Sequence, residues 1–473
     1  MSHTDLSRRA FLAATTTTAA AFAGATPGTL RDGERFNTAQ VVPGEKSPNE
    51  ALNIAGIGVG GKGLQDIMSV ARRNNVVALC DVDWDRAAEA FYKVDQLGGE
   101  KKAKHYKDYR NMLDEMPEID AVTISTPDHH HAVAAYRAMK LGKHVYVQKP
   151  LTHTIAEARL LAKTAIETKV ATQMGNQGHS NDGARELCEM MWSGAIGPVR
   201  EAHIWTSRPH WPQGLTPPAF TSTAPEYLDW DRWLGPAAAR PYIGMNDATG
   251  KPTYCPFVWR GWWDFGCGAI GDMACHIMDP AFWALKLGEA ATFSVEPVMQ
   301  EGQNDFTAPT KSIIKYSFPA RGDMPPVDVY WYDGGNKPPQ PAGVPEGTKL
   351  GDGDNGSYYV GDGGILTSGE YGGNSRLLPD DKMAGYTKPA ETIPRIKGQS
   401  HYRDWLDACK GGTPACSNFS YAGPLTEVAN LANIALRAGK KIEWDSAAMR
   451  ITNDEAANQY VTKEYRKGWE LPC

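Results

Sequence analysis

Asp272 and His276 lie four residues apart in a stretch whose apolar spacing predicts a helix over Ile270–Leu287, so both side chains fall on one helix face. A carboxylate one turn from an imidazole can set its tautomer and raise its pKa. Such a poised base suits proton transfer at a sugar hydroxyl. The same pair also reads as a structural helix contact, and Asp279, three residues beyond His276, is an equal candidate for its partner. The glycines just upstream, Gly266-Cys267-Gly268-Ala269-Ile270-Gly271, imitate a nucleotide turn. No apolar strand precedes them, only Trp262-Trp263-Asp264, so they are not assigned that role.

A better glycine turn stands near the start. The apolar run Leu52, Ile54, Ile57 leads into Gly58-Val59-Gly60-Gly61-Lys62-Gly63, then a helical stretch, the apolar run Val76–Cys80, and Asp81. That order suits a dinucleotide. Gly58 permits the tight turn, Gly60 lets backbone approach a pyrophosphate, and Gly63 lets helix pack on strand. The helix N-terminus offers unpaired N–H groups and a positive dipole end, with Lys62 beside it. An acid about 20 residues on accepts ribose hydroxyls and repels a 2′-phosphate, so Asp81 favours NAD over NADP. Arg86 is expected along the following helix, away from the nucleotide.

The elements that must position these groups follow from alternation. After Val76–Cys80 come apolar runs at Ala121–Ser125, Val145–Gln148 and Val170–Met174. Helical patterns separate them at Arg86–Gln96, Tyr109–Glu115, His131–Leu141 and Ile155–Thr168. Strand–helix alternation predicts a doubly wound parallel sheet with ligands beyond the carboxyl ends of its strands. The residues placed there are Thr126, Asp128 and His131, then Gln148 and Lys149, then Asn176. The run His129-His130-His131 does not project to one side and lacks the acidic or further His partners of a metal site, so no metal is assigned.

From Met174 onward the texture changes. A helix at Arg185–Ser193 and a strand at Val199–Trp205 precede 207–262, rich in Pro and Trp, which reads as long loops shaping a pocket. Its tryptophans serve either core packing or stacking on sugar rings. Strands at Ser312–Phe318 and Val327–Tyr332, loops over 334–392, and helices at His401–Lys410 and Gly423–Ala438 complete an α/β domain with an open, mostly antiparallel sheet. His179 and Arg260 are assigned to the substrate side.

The chain divides into 1–25, 26–50, 51–174 and 175–473. The first holds Arg8-Arg9 before an Ala/Thr-rich stretch and A-x-A sites, which resembles a twin-arginine export signal and predicts a periplasmic or otherwise exported protein. The second reads as a linker or arm, the third as the Rossmann domain, the fourth as the substrate and oligomerisation domain. A net charge of −6 over 473 residues gives no footprint of nucleic-acid binding, and no stretch suits membrane insertion. Eight cysteines show no zinc spacing; Cys409 and Cys416 are close enough for a disulfide, but small buried thiols fit better.

Together the glycine turn with Asp81, Thr126-Pro127 with His131, Lys149-Pro150, and Gly271-Asp272 with His276 resemble the glucose–fructose oxidoreductase/inositol dehydrogenase/rhizopine-catabolism family, Gfo/Idh/MocA, from about residue 51 to the end. The resemblance implies a nicotinamide cofactor, which export would favour as tightly held and regenerated in the site, and a catalytic group of Lys149, Asp272 and His276, with Asp272 orienting His276. It also implies a carbohydrate or cyclitol substrate and a homo-oligomer built through the C-terminal sheet. The family's usual Glu-Lys-Pro is here Gln148-Lys149-Pro150, a loss of charge expected to lower the lysine's pKa or alter its cofactor contact. The leading expectation is an NAD(P)-dependent oxidoreductase. Alternatives are an NAD-dependent glycosidase working by oxidation, elimination, addition and reduction, and a non-catalytic nucleotide-bearing binding protein.

Overall fold

The computed structural model describes residues 50–99 and 102–473. The twin-arginine stretch and nearly all of the 26–50 arm lie outside the described residues.

The first sheet consists of β1 (Asn53–Ile57), β2 (Asn75–Cys80), β3 (Lys104–Tyr106), β4 (Ala121–Ile124), β5 (His144–Val147) and β6 (Thr172–Met174). Its order is β3-β2-β1-β4-β5-β6, with every pairing parallel. Both faces of a parallel sheet are covered, so its strands read as unbroken apolar runs. All four residues of β4 and of β5 are accordingly buried. The crossovers are α1 (Lys62–Ala71), α2 (Trp84–Gly98), α3 (Tyr109–Glu115), α4 (Asp128–Lys140) and α5 (Ile155–Thr168). Local chemistry starts several of them: Asp83 and Asp108 cap α2 and α3, and Thr154 with Glu157 forms a capping box on α5.

Beyond α6 (Asp182–Trp192) and β7 (Val199–Trp205), the loop region holds α7 (Trp230–Leu234), a small hairpin of β8 (Met245–Asn246) with β9 (Lys251–Pro252), and a 3-10 turn at Val258–Gly261. The expected helix over Ile270–Leu287 is two: α8 (Gly268–Ile277) and α9 (Asp279–Ala284). Pro280, with its fixed φ and missing N–H, sits in the first turn of the second and starts it afresh. Then come β10 (Thr292–Glu301), β11 (Lys311–Phe318), β12 (Val327–Tyr332), β13 (Gly356–Gly361), β14 (Gly364–Ser368) and β15 (Arg376–Leu378). Last are α10 (His401–Cys409), α11 (Phe419–Ala438), β16 (Ile442–Asp445) and β17 (Arg450–Ile451).

These strands form a nine-stranded sheet in the order β15-β14-β13-β7-β12-β11-β10-β16-β17. Only β7 and β12 pair in parallel; the other neighbours are antiparallel. Alternation along β11 buries Ser312, Ile314, Tyr316 and Phe318, and the Tyr316 hydroxyl donates to the Val428 carbonyl on α11 at 3.1 Å. The other residues of β11 stay half exposed.

The C-terminal elements complete the first domain's core. Trp405, Leu406 and Cys409 of α10 pack with Leu52, Ile54 and Val59 around β1. None of the eight cysteines is disulfide-bonded, Cys409 and Cys416 included. Among the described residues no helix is long and apolar enough to cross a membrane.

Candidate functional site

A cavity of about 480 Å³ lies at the carboxyl ends of β1, β2, β4 and β5. On one side it is walled by the glycine turn, Asp81, Thr126, Asp128, Gln148 and Lys149; on the other by Phe257, Trp259, Arg260 and His276. This is where ligands bind in open parallel sheets.

The glycine turn is built for a tight approach. Gly58 has φ 74°, and a Cβ there would stand 2.8 Å from the Thr126 nitrogen. A Cβ on Gly63 would stand 1.8 Å from the Gly58 carbonyl oxygen, so Gly63 allows α1 to close on the turn and does not itself face the cavity. Helix α1 starts at Gly61 with no side-chain cap and no acid in its first turn, leaving N–H groups for an anion. Asp81 accepts the Val59 and Gly60 N–H groups on Oδ2 at 2.8 and 3.0 Å and the Asp83 N–H on Oδ1 at 3.0 Å. It therefore braces the turn as well as lining the cavity. Burial raises its pKa against the pull of these N–H donors. Arg86 is on α2 as expected, but its guanidinium reaches back to the turn: a Cβ on Gly61 would lie 3.1 Å from it.

At the other end, Lys149 Nζ lies 2.8 Å from Asp272 Oδ1 and donates to the Asp272 carbonyl at 2.9 Å. Arg260 Nε reaches the same carboxylate oxygen at 3.1 Å. The guanidinium is also stacked against Trp259 and Phe257, with ring centroids 4.3 and 4.5 Å away. Burial alone would raise the Asp272 pKa, but Lys149 and Arg260 outweigh it and hold it at about 2. Asp272 thus serves the two cations and does not orient His276, contrary to the expectation from their spacing. Asp279 is not the partner of His276 either. The His276 ring faces the cavity with Nδ1 buried and unpartnered, and burial with the nearby Lys149 lowers its pKa to about 3, keeping the imidazole neutral.

Asp128 opens α4 and accepts the Cys267 N–H at 3.1 Å, at the start of α8. Cys267 offers α8 no capping side chain, so Asp128 at the start of α4 caps that helix directly. Burial and neighbouring Asp272 push its pKa up to about 7 against Arg260 and Lys149.

Besides Gly63 and Asp272, three assigned residues do not line the cavity. His131 joins the Pro150 and Thr126 carbonyls, at 2.8 Å from Nδ1 and 2.9 Å from Nε2, tying together the two loops that carry Lys149 and Thr126. Its neighbours His129 and His130 both reach the Trp233 carbonyl. Asn176 and His179 contact the buried Asp279, at 3.4 Å and 2.9 Å, and Tyr421 donates to the same carboxylate. The residue beside the cavity is instead Gln177, whose amide donates to the Tyr146 hydroxyl at 2.7 Å. Lys62 does line the cavity, with Nζ 3.0 Å from Asp66 and 3.1 Å from the Tyr402 hydroxyl. Burial opposes its charge, but Asp66 and Tyr402 prevail and its pKa is raised.

The residues fit a dinucleotide: an uncapped helix start for a pyrophosphate, an acid at the end of β2, and an unpartnered Thr126 Oγ1 where the cavity passes β4. Parallel order, glycine turn and second sheet define a two-domain protein of the Rossmann dinucleotide-binding class. Residues 52–176 match the family profile described as "Oxidoreductase family, NAD-binding Rossmann fold". Residues 210–320 match "Oxidoreductase family, C-terminal alpha/beta domain". The chain belongs to the Gfo/Idh/MocA oxidoreductase family.

Relatives agree at that level. Inositol 2-dehydrogenase of Salmonella typhimurium is 29% identical over 186 residues, 38% of this chain and 53% of the relative. Glycosyl hydrolase family 109 protein 2 of a Shewanella species is 32% identical over 169 residues, 33% of this chain and 36% of the relative. The matched region thus spans about half, or less, of these relatives' length. In structure the chain resembles an inositol dehydrogenase homologue from Azotobacter vinelandii complexed with NADH and myo-inositol. The identity is 15%, coverage 84% of this chain and 98% of the other, and TM-score 0.52. It also resembles the WlbA dehydrogenase of Bordetella pertussis complexed with NADH and UDP-GlcNAcA, with 15% identity, coverage 83% and 98%, and TM-score 0.53.

Proposed function

We propose that this chain is an NAD-dependent oxidoreductase of a sugar, a cyclitol or a derivative of one. The observation that carries this reading is that the glycine turn, Lys149 and His276 wall a single cavity, with Asp272 paired to Lys149 at 2.8 Å. Gly58, Gly60, Lys62 and the start of α1 would hold the pyrophosphate, and Asp81 the adenosine ribose. When bound, the nicotinamide supplies a hydride acceptor.

The chain's own residues handle the proton and the oxygen. His276, neutral at physiological pH, takes the hydroxyl proton from the substrate. Lys149 steadies the oxygen as it gains negative charge, and Asp272 keeps the ammonium in place. Trp259, Phe257 and Arg260 offer an aromatic and cationic wall for a polyol ring. The inositol dehydrogenase relatives support this substrate class.

The test is to purify the protein gently, assay bound nucleotide, and screen polyols and glycosides for nucleotide reduction. Nucleotide-free protein that neither binds NAD nor reduces it with any polyol would sink the reading. The glycosyl hydrolase family 109 relatives favour a second reading, in which the same cavity oxidises a glycoside, expels the aglycone, adds water and reduces again. Aglycone release without net nucleotide reduction would select it. Export as a folded protein through the twin-arginine stretch and a homo-oligomer through the half-exposed face of the large sheet belong to the same proposal. The oligomer is checked by light scattering.

A further inference from the structure

Asp66 lies on α1, one turn beyond Lys62, and is 0% exposed. Its Oδ2 accepts the Ser125 hydroxyl at 2.7 Å and the Gln148 amide at 2.8 Å. Its Oδ1 accepts the Tyr402 hydroxyl at 2.6 Å and pairs with Lys62 at 3.0 Å. A carboxylate has about four acceptor positions, and all are used. Because ionised Asp66 only accepts, the Gln148 NH₂ must face it, which turns the amide oxygen away. Gly175 leaves the room the Gln148 amide needs: a Cβ there would stand 2.7 Å from its nitrogen and 2.8 Å from its carbon and oxygen.

We propose that Asp66 and Gln148 act as one unit, in which the negative charge that Glu-Lys-Pro would place at 148 sits at 66 instead, and 148 must be an amide because of it. A glutamate at 148 would set two buried carboxylates within hydrogen-bond distance, and one would have to stay protonated. With glutamine, the site keeps a single negative charge beneath the cavity and presents a neutral acceptor toward it. Asp66 is then a positioning residue. It holds Lys62 at the phosphate end and Gln148, next to Lys149, at the other end. Tyr402 brings in α10 from the far C-terminal part of the chain. The ligand class this suits carries hydrogen-bond donors between an anionic group and the reacting carbon, as a nicotinamide dinucleotide does; the inference rests on the function proposed above.

The experiment is a double-mutant cycle on the full chain, with Asp66→Asn, Gln148→Glu and both together. It reads NAD affinity by titration and, without nucleotide, the midpoint of thermal unfolding. Each single variant should weaken NAD binding by about tenfold or more, with Gln148→Glu less impaired at pH 5, where the shared proton is retained. In the double variant the introduced asparagine amide can donate to the introduced carboxylate, and most of both losses should be recovered. Losses that simply add would overturn the pair. If Gln148→Glu fails to fold, folding of the double variant upholds the pair and its failure overturns it. Wild-type protein that binds no dinucleotide would sink the proposed function, while the unfolding cycle would still decide the pair: recovery upholds it, additive losses overturn it.

Discussion

Lys149 and Arg260 both lie against Oδ1 of Asp272, and neutral His276 lines the same cavity as the two cations. This fixes what single substitutions should do. His276→Ala should cut turnover by about 10²-fold or more, the scale of a lost general base, while leaving NAD affinity near normal. Turnover close to wild type would remove His276 from the mechanism. In the cavity wall, Asp128 is pushed up to about 7. An unfolded Asp titrates near 3.9, so between about pH 4 and pH 7 the folded chain holds a proton that the unfolded chain has lost. Asp128 therefore makes stability fall as pH rises through that window. Asp272, held at about 2, acts oppositely: its contribution is present above about pH 4 and is lost as pH falls toward 2. Asp128→Asn keeps an acceptor for the Cys267 N–H but cannot titrate. Its unfolding midpoint should gain on wild type steadily from pH 4 to pH 7, and parallel curves would refute the assignment. Strand alternation placed Lys149, and helical spacing paired Asp272 with His276, whereas the carboxylate's partner is Lys149. An i, i+4 match says which side chains share a helix face, and nothing of a lysine arriving from another domain. Asp66 was invisible for the converse reason: with Lys62 at i, i+4, it looks like any solvated helix pair.

At the scale of elements, α1 depends on the missing Cβ of Gly63. Gly63→Ala would push a methyl into the Gly58 carbonyl, so α1 must lift from the turn. The expected cost is about 1–3 kcal/mol of stability, with NAD affinity lost beyond what stability explains. Chemical denaturation and nucleotide titration check both, and an unchanged affinity would refute the role given to the turn. The parallel strands were legible because burial on both faces leaves continuous apolar runs. In the second sheet, β10 was missed because Pro297 interrupts it, and the register indeed shifts between Pro297 and Met299. β13 and β14 were missed because Gly356, Gly361 and Gly364 mark their ends in a segment otherwise rich in turn residues.

Across the whole molecule, neither domain is closed by local sequence. Trp405 of α10 is fully buried against the core around β1, and Trp469 of the C-terminal tail lines the cavity. Contacts between such distant segments carry no periodic signature, so the boundary at 174 marks a change of texture in the chain and not a gap in space. Trp405→Ala should cost about 3–5 kcal/mol, read by denaturant unfolding, and a loss well under 1 kcal/mol would show that α10 is dispensable to that core. For export, replacing Arg8 and Arg9 with lysine should strand the precursor in the cytoplasm; mature protein still accumulating outside would refute the twin-arginine reading. The central claim is that His276 and Lys149 serve removal of hydride from a carbinol carbon to a bound nicotinamide. The direct measurement uses polyols and glycosides deuterated at their ring carbinol carbons, with mass analysis of the nucleotide and the products. The account predicts deuterium on the nicotinamide ring and an oxidised sugar with no aglycone released. Released aglycone, with solvent hydrogen replacing deuterium beside the transiently oxidised carbon, would contradict it in favour of the elimination route.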